Sequence, residues 1–142
     1  MPSPETNNGP SPDSEDWVAV VDDDPLIRRS LSRAFAAYEI QVESFSSAES
    51  FLEHAFSSEP CCIVLDIQLG GLSGFELQDV LESQRHRPPP IIFISAHTDM
   101  LEHGARIRGA YGYLHKPFDI DELVALVRPL LRSVPLPVEG YQ

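Results

Sequence analysis

The stretch WVAVVDDD, residues 17–24, places a short apolar run directly before three aspartates. Three further runs also end in polar side chains: CCIVLD at 61–66, IIFIS at 91–95 and YGYLHKP at 111–117. In an open parallel sheet the carboxyl ends of the strands lie along one edge, where ligands bind. The four runs therefore bring carboxylates, a hydroxyl and an ammonium group to one edge. That combination can bind a divalent cation and a phosphoryl group together.

Strand-like and helix-like segments alternate along the chain. Most of the strand-like segments are apolar almost throughout, which indicates a parallel sheet covered by helices on both faces, whereas residues 40–45 alternate like a strand of lesser burial. We therefore predict an α/β fold, a single (βα)5 doubly wound parallel five-stranded sheet of the flavodoxin-like kind. The predicted strands are residues 17–21, 40–45, 63–66, 91–95 and 111–114, and the predicted helices are 26–38, a segment that starts at Ser47, 75–84, 97–108 and 120–131.

The length of 142 residues suggests one domain that can bury a sizeable core. We expect this domain at residues 16–132, with a disordered arm at 1–15 and a proline-containing tail or linker at 133–142. No apolar run approaches the length of a membrane span, and the first residues lack the basic and apolar regions of a secretory signal. We expect a cytoplasmic protein with no membrane partner.

The formal net charge of −12 excludes one class of partner. Nucleic-acid-binding proteins carry a basic stripe, and this sequence has no stretch rich in Lys or Arg, so we expect no nucleic-acid binding by this chain.

Cys61 and Cys62 are neighbours in an apolar run. This arrangement disfavours a disulfide or a zinc site, and both are predicted to be small buried strand residues.

The polar residues at the strand ends suit phosphoryl chemistry. A carboxylate becomes a useful nucleophile when it is oriented toward phosphorus, and phosphoryl transfer then depends mainly on positioning and charge neutralisation. Asp22 and Asp23, with Asp66 at a neighbouring strand end, match the small set of carboxylates that Mg2+ takes from proteins. Lys116 can supply a point charge and Ser95 a hydroxyl donor.

Together these residues resemble the receiver domain of two-component response regulators. The matching segments are VAVVDDDPLIR, CIVLDIQLGGLSG, IIFISAH and GAYGYLHKPF, and they span nearly all of the predicted domain. The segments VDDDPLIRRSLSRAF and ESFSSAESFL look most like receivers that precede a helix-turn-helix DNA-binding domain. The resemblance implies a signalling switch rather than an enzyme, because such a domain catalyses only its own phosphorylation and slow dephosphorylation.

The resemblance also assigns roles to single residues. Asp66 is implied as the phosphoacceptor. Asp23, Asp66 and the backbone carbonyl of Gln68 are implied as direct ligands of Mg2+, with Mn2+ as an alternative, and Asp22 would act largely through water.

The phosphoryl oxygens would be held by Ser95, the backbone of Ala96 and Lys116. Pro117 would follow a cis peptide bond, and Tyr113 resembles a switch aromatic that turns inward when Ser95 engages the phosphoryl group. Gln68 and His97 occupy positions that influence how fast the acyl phosphate hydrolyses. One departure from the family pattern is Gly70, which stands where proline is usual.

A sensor histidine kinase or a histidine phosphotransfer protein is the implied phosphodonor. Phosphorylation would change the surface formed by residues 97–108, 111–114 and 120–131, which an output domain, a partner or a second copy of the chain would read.

Two other functions remain open at this point. One is a receiver-like module that binds proteins without phosphorylation. The other is a phosphatase of the haloacid-dehalogenase type, which also uses an aspartate nucleophile and Mg2+. That class is expected to place Asp-x-Asp directly after its first strand, whereas Asp66 is followed by Ile67 and Gln68.

Overall fold

The structure, a computed structural model, describes residues 16–54, 58–84, 87–96 and 109–131. Several predictions fall outside these residues: the arm at 1–15, the helix at 97–108 with His97, and the tail at 133–142. Within them, no helix is long and apolar enough to cross a lipid bilayer.

Five strands form one parallel sheet, as predicted. They are β1 (Trp17–Val21), β2 (Gln41–Phe45), β3 (Cys62–Asp66), β4 (Ile91–Ser95) and β5 (Gly112–His115). Their order in the sheet is β2-β1-β3-β4-β5, and all four neighbouring pairs are parallel. The strand boundaries agree with the predicted ones to within one residue, and β5 is shifted one residue toward the C-terminus because His115 pairs with Ser95.

Helices cover both faces of the sheet. They are α1 (Pro25–Ala37), α2 (Ala48–Glu53), α3 (Gly74–Gln84) and the helix Ile120–Val127. Successive side chains of a strand point to opposite faces, so β1 contributes to two separate clusters. Val20 packs in the cluster that contains Phe35 of α1 and Leu123, whereas Ala19 packs in the cluster that contains Leu77 of α3.

Two helices begin at residues whose side chains cap them, and one of these residues, Ser47, is the predicted start of its helix. The Asp24 carboxylate accepts a hydrogen bond from the Leu26 amide at 2.9 Å, and Pro25 occupies the first turn of α1. Ser47 Oγ accepts from the Ser50 amide at 3.0 Å and so caps α2. Both caps place the start of their helix directly after a strand and its connecting residues.

The predicted helix at 120–131 is shorter than expected. The α-helix ends at Val127, and residues Arg128–Leu130 form one turn of 3-10 helix. Pro129 explains the change, because proline has no backbone N–H to donate and its ring crowds the preceding turn.

Cys61 and Cys62 are both free and buried, as predicted. Burial, together with the neighbouring Cys61, raises the pKa of Cys62 to about 12. Cys62 therefore remains a thiol at neutral pH and acts as a small apolar core residue.

The close approach of α3 to the end of β3 gives a stability prediction. A Cβ atom on Gly74 would lie 2.6 Å from the Asp66 carbonyl oxygen and 2.9 Å from Ile67 Cα, whereas a Cβ on Gly70 would have no atom within 4 Å. We expect Gly74→Ala to lower the free energy of unfolding by about 2 kcal/mol through overpacking. Gly70→Ala is the matched control and should be neutral or slightly stabilising. Urea denaturation monitored by circular dichroism compares the two, and equal stabilities would contradict the close contact.

Candidate functional site

The register of the sheet places two acidic residues opposite each other. Val21 pairs with Leu65 across β1 and β3, so the next residues, Asp22 and Asp66, are neighbours at the carboxyl edge. Both are buried, with 0% and 4% of their surfaces exposed. Burial of two neighbouring carboxylates is costly unless they are neutralised, so this edge needs a cation.

Asp22, Asp23 and Asp66 form a cluster that could hold a metal ion. One carboxylate oxygen from each lies within 4.8 Å of the others. Oxygens bound on opposite sides of Mg2+ are about 4.2 Å apart, since each metal–oxygen distance is about 2.1 Å. Small side-chain movements would therefore let the three oxygens share one cation. Asp23 is exposed, which leaves the cluster open to solvent.

Lys116 contacts both buried carboxylates from the end of β5. Its Nζ atom lies 2.9 Å from Asp22 Oδ2 and 3.3 Å from Asp66 Oδ2. Only 19% of its side chain is exposed, so the two ion pairs are poorly screened by water. The peptide bond between Lys116 and Pro117 is cis.

Ser95 ends β4 and is fully buried beside these charges. Its carbonyl accepts a hydrogen bond from the Lys116 amide at 2.8 Å, which joins the ends of β4 and β5. Ala96 is exposed, and its carbonyl oxygen lies 3.2 Å from His115 Nε2. The ends of β1, β3, β4 and β5 thus all contribute residues to one edge.

Gln68 and Tyr113 lie at the margins of the site. The Gln68 amide donates to Asp66 Oδ1 at 3.0 Å, and its side chain is exposed. Because Lys116 faces Oδ2, both oxygens of Asp66 are held and the carboxylate is oriented. Tyr113 is 40% exposed on β5. Its partner in the ladder is Phe93 of β4, two residues before Ser95.

Arg28 is a residue at the site that the sequence pattern did not reveal. Arg28 lies near the start of α1, and its Nη1 atom donates a hydrogen bond to the Asp22 backbone carbonyl at 2.7 Å. This contact fixes the end of β1. The sequence signal was weak, because Arg28 and Arg29 both follow the strand and only one of them reaches back.

The environment of Asp66 shifts its protonation equilibrium. Burial raises the pKa of Asp66 to about 6, and the charge of Asp22 adds to this, although the Gln68 amide and Lys116 oppose it. Burial lowers the pKa of Lys116, but the hydrogen bond to Asp22 and the charges of Asp66 and Asp22 outweigh it and raise the pKa overall. Lys116 is therefore charged at neutral pH, whereas the carboxylate of Asp66 titrates at a pH slightly below neutral.

Comparison with known proteins identifies this arrangement. The family model for the response regulator receiver domain matches residues 18–128. The DNA-binding transcriptional regulator NtrC of Escherichia coli is 41% identical over 111 residues, which cover 78% of this chain and 24% of that protein. The chain thus spans about a quarter of the length of this relative.

Solved structures agree with the sequence match. A response regulator receiver protein from Burkholderia phymatum is 33% identical with a TM-score of 0.72, over 85% of this chain and 98% of that one. The response regulator TrrA from Thermotoga maritima, solved with Mg2+ and beryllium fluoride, is 27% identical with a TM-score of 0.71, over 82% and 99% of the two chains.

The raised pKa of Asp66 predicts how stability depends on pH. A group whose pKa is higher in the folded state contributes stability that is present below about pH 4 and is lost as pH rises through about 6. We expect Asp66→Asn to raise the free energy of unfolding by about 1 kcal/mol at pH 7 without divalent cations, and to have little effect at pH 4.

Denaturation at the two pH values, in the presence of a chelator, measures this difference. The control is Asp23→Asn, which removes an exposed charge from the same cluster and should give a smaller gain. A gain from Asp66→Asn of equal size at pH 4 and pH 7 would contradict the assignment.

Proposed function

The chain belongs to the response regulator receiver family, and we propose that it is a phosphorylation-dependent switch whose phosphoryl acceptor is Asp66. The observation that carries this proposal is the setting of Asp66. Its carboxylate is buried at a strand end, lies within 4.8 Å of the carboxylates of Asp22 and Asp23, and faces Lys116 Nζ at 3.3 Å.

The proposed transfer is a substitution at phosphorus. An oxygen of ionised Asp66 attacks the phosphorus of a phosphohistidine, a P–O bond forms, the P–N bond breaks, and the electron pair leaves with the histidine nitrogen. Water later attacks the phosphorus of the acyl phosphate, which releases inorganic phosphate and restores the carboxylate. The hydrogen bond from the Gln68 amide orients Asp66 for this attack.

We propose that Asp22, Asp23, Asp66 and the Gln68 backbone carbonyl hold Mg2+, with Mn2+ as an alternative. The cation would neutralise charge on the transferring phosphoryl oxygens. The carboxylate cluster supports this proposal, as does the similarity to TrrA, which was solved with Mg2+ and beryllium fluoride. Asp66 would then exchange part of its contact with Lys116 for the cation.

Ser95, the Ala96 backbone and Lys116 are proposed to bind the phosphoryl oxygens. Lys116 already faces the acceptor, and buried Ser95 ends the adjacent strand. A shift of Ser95 toward the phosphoryl group would draw Tyr113 inward from its exposed position and so change the surface around β5. Gln68, and His97 outside the described residues, are proposed to modulate hydrolysis.

The proposed donor is a sensor histidine kinase or a histidine phosphotransfer protein, since family members take phosphate from histidine kinases. Readers of the altered surface would be an output domain or a second copy of the chain. We further propose that residues 16–132 form the receiver, with 1–15 as an arm before it and 133–142 as a tail after it. We propose that this receiver lies in the cytoplasm. We also propose that it catalyses only its own phosphorylation and dephosphorylation.

Loss of the acceptor tests this function. Asp66→Asn should abolish uptake of acid-labile phosphate from radiolabelled acetyl phosphate with Mg2+, because the amide is not a nucleophile. Asp119→Asn is the matched control, since it changes an exposed aspartate that makes no side-chain hydrogen bond as the helix cap. Uptake by Asp66→Asn at the rate of the unaltered protein would show that Asp66 is not the acceptor.

The same assay distinguishes the other two functions. A receiver-like module that only binds proteins would take up no phosphate even before substitution. A phosphatase would release many equivalents of phosphate per chain instead of holding one.

The metal site can be tested one carboxylate at a time. Asp23→Asn should weaken Mg2+ binding about tenfold, because it removes one charged ligand from the cluster. Asp24→Asn is the control, since Asp24 is the adjacent exposed aspartate and caps α1 instead. Isothermal titration calorimetry measures both, and an equal loss of affinity in the two variants would contradict the role of Asp23.

A further inference from the structure

We propose that Glu49 of α2 is a positioning residue that holds the segment between β3 and α3, residues 67–73, against the site. This inference rests on the proposed function, because that segment directly follows Asp66 and carries Gln68. Glu49 itself lies on α2, outside this segment, and is not one of the three clustered carboxylates.

The contact is a hydrogen bond between a side chain and a distant backbone group. Glu49 Oε2 accepts from the Leu72 amide at 2.9 Å, and the two residues are 23 positions apart. Acceptance of this bond lowers the pKa of Glu49, so the carboxylate is ionised and the bond is charge-assisted. Such a bond is stronger than one between neutral groups.

Gly71 makes room for the same contact. A Cβ atom at this position would lie 2.6 Å from Glu49 Oε2, and the φ angle of +81° favours glycine. The carboxylate therefore lies directly over the backbone of the loop. Conformation and space at Gly71 both fit a segment that is held by Glu49.

Further hydrogen bonds hold the two ends of the segment, and one of them, from the Ile67 amide to the Ile94 carbonyl at 3.0 Å, joins it to β4. The Gln68 amide donates to Asp66 Oδ1, the Gly74 amide donates to the Ile67 carbonyl at 3.0 Å, and Ser73 exchanges hydrogen bonds with Glu76 at the start of α3. The bond to Glu49 differs because it joins the segment to α2. It thus fixes the middle of a loop whose two ends are already fixed.

The hydrogen bond from the Leu72 amide to Glu49 is needed because Gly70 and Gly71 are adjacent. Two glycines give the loop more conformational freedom than other residues would, and ordering them costs more entropy. A Cβ atom on Gly70 would have no atom within 4 Å, and the φ angle of Gly70 is not positive. Neither close packing nor backbone conformation therefore requires glycine at this position. The Glu49 bond offsets this freedom and so keeps the Gln68 amide on Asp66.

Amide hydrogen exchange in the metal-free protein tests the proposal. We expect Glu49→Ala to speed exchange at the Leu72 amide about tenfold, and to speed exchange severalfold at the Gln68 amide, four residues away. Glu53→Ala is the matched control, because Glu53 is an exposed glutamate on the same helix. Glu49→Gln keeps a carbonyl acceptor and should restore part of the protection at both amides.

Gly71→Ala reaches the same bond from the loop side, because the added methyl group displaces the carboxylate, and should speed exchange at the same two amides. If Glu49→Ala speeds exchange at Leu72 alone, or if Glu53→Ala does as much, the proposal is overturned. These measurements need no metal. They are therefore decided separately from the proposed function, which fails if the unaltered protein neither binds Mg2+ nor takes up phosphate.

Measuring the affinity for Mg2+ then tests whether the hydrogen bond to Glu49 affects the metal site. In an unaltered protein that binds Mg2+, Glu49→Ala should weaken binding about threefold while Glu53→Ala leaves it unchanged. Unchanged affinity in Glu49→Ala would reduce Glu49 to a local structural contact and overturn its positioning role.

Discussion

The repulsion between Asp22 and Asp66 is the constraint around which this edge of the sheet is built. The ladder of hydrogen bonds between β1 and β3 fixes the two carboxylates as neighbours, and burial removes most of the water that would screen them. Lys116 reaches both of them and Arg28 holds the Asp22 carbonyl. The folded chain thus stores unfavourable electrostatic energy that an added cation can relieve.

The supports of the site differ in kind. Strand ends are fixed by the sheet, so the positions of Asp22, Asp66, Ser95 and Lys116 follow from register alone. The segment between β3 and α3 has no ladder and is held by separate hydrogen bonds, among them those from the Gln68 amide to Asp66 and from the Leu72 amide to Glu49. The same fold therefore combines a rigid set of charges with a loop whose order rests on a few separate hydrogen bonds.

This difference explains what the sequence could predict. The strands were predicted to within one residue because β1, β3 and β4 are apolar runs that end in polar residues, whereas β2 alternates between polar and apolar residues. Their polar ends meet because parallel strands share an edge. Contacts between distant side chains and backbone groups leave no periodic signal. Arg28 was missed for this reason, and the early end of the last helix was missed because the apolar pattern continues through Pro129.

Trp17 has a practical consequence for studies in solution. It is the single tryptophan of the chain, it is buried at the amino end of β1, and its indole nitrogen donates to the Ser58 carbonyl at 3.3 Å. Asp22 lies five residues further along the strand, roughly 16 Å away at about 3.3 Å per residue. Intrinsic tryptophan emission is therefore a reporter of global unfolding and a poor sensor of ligands at the acidic edge.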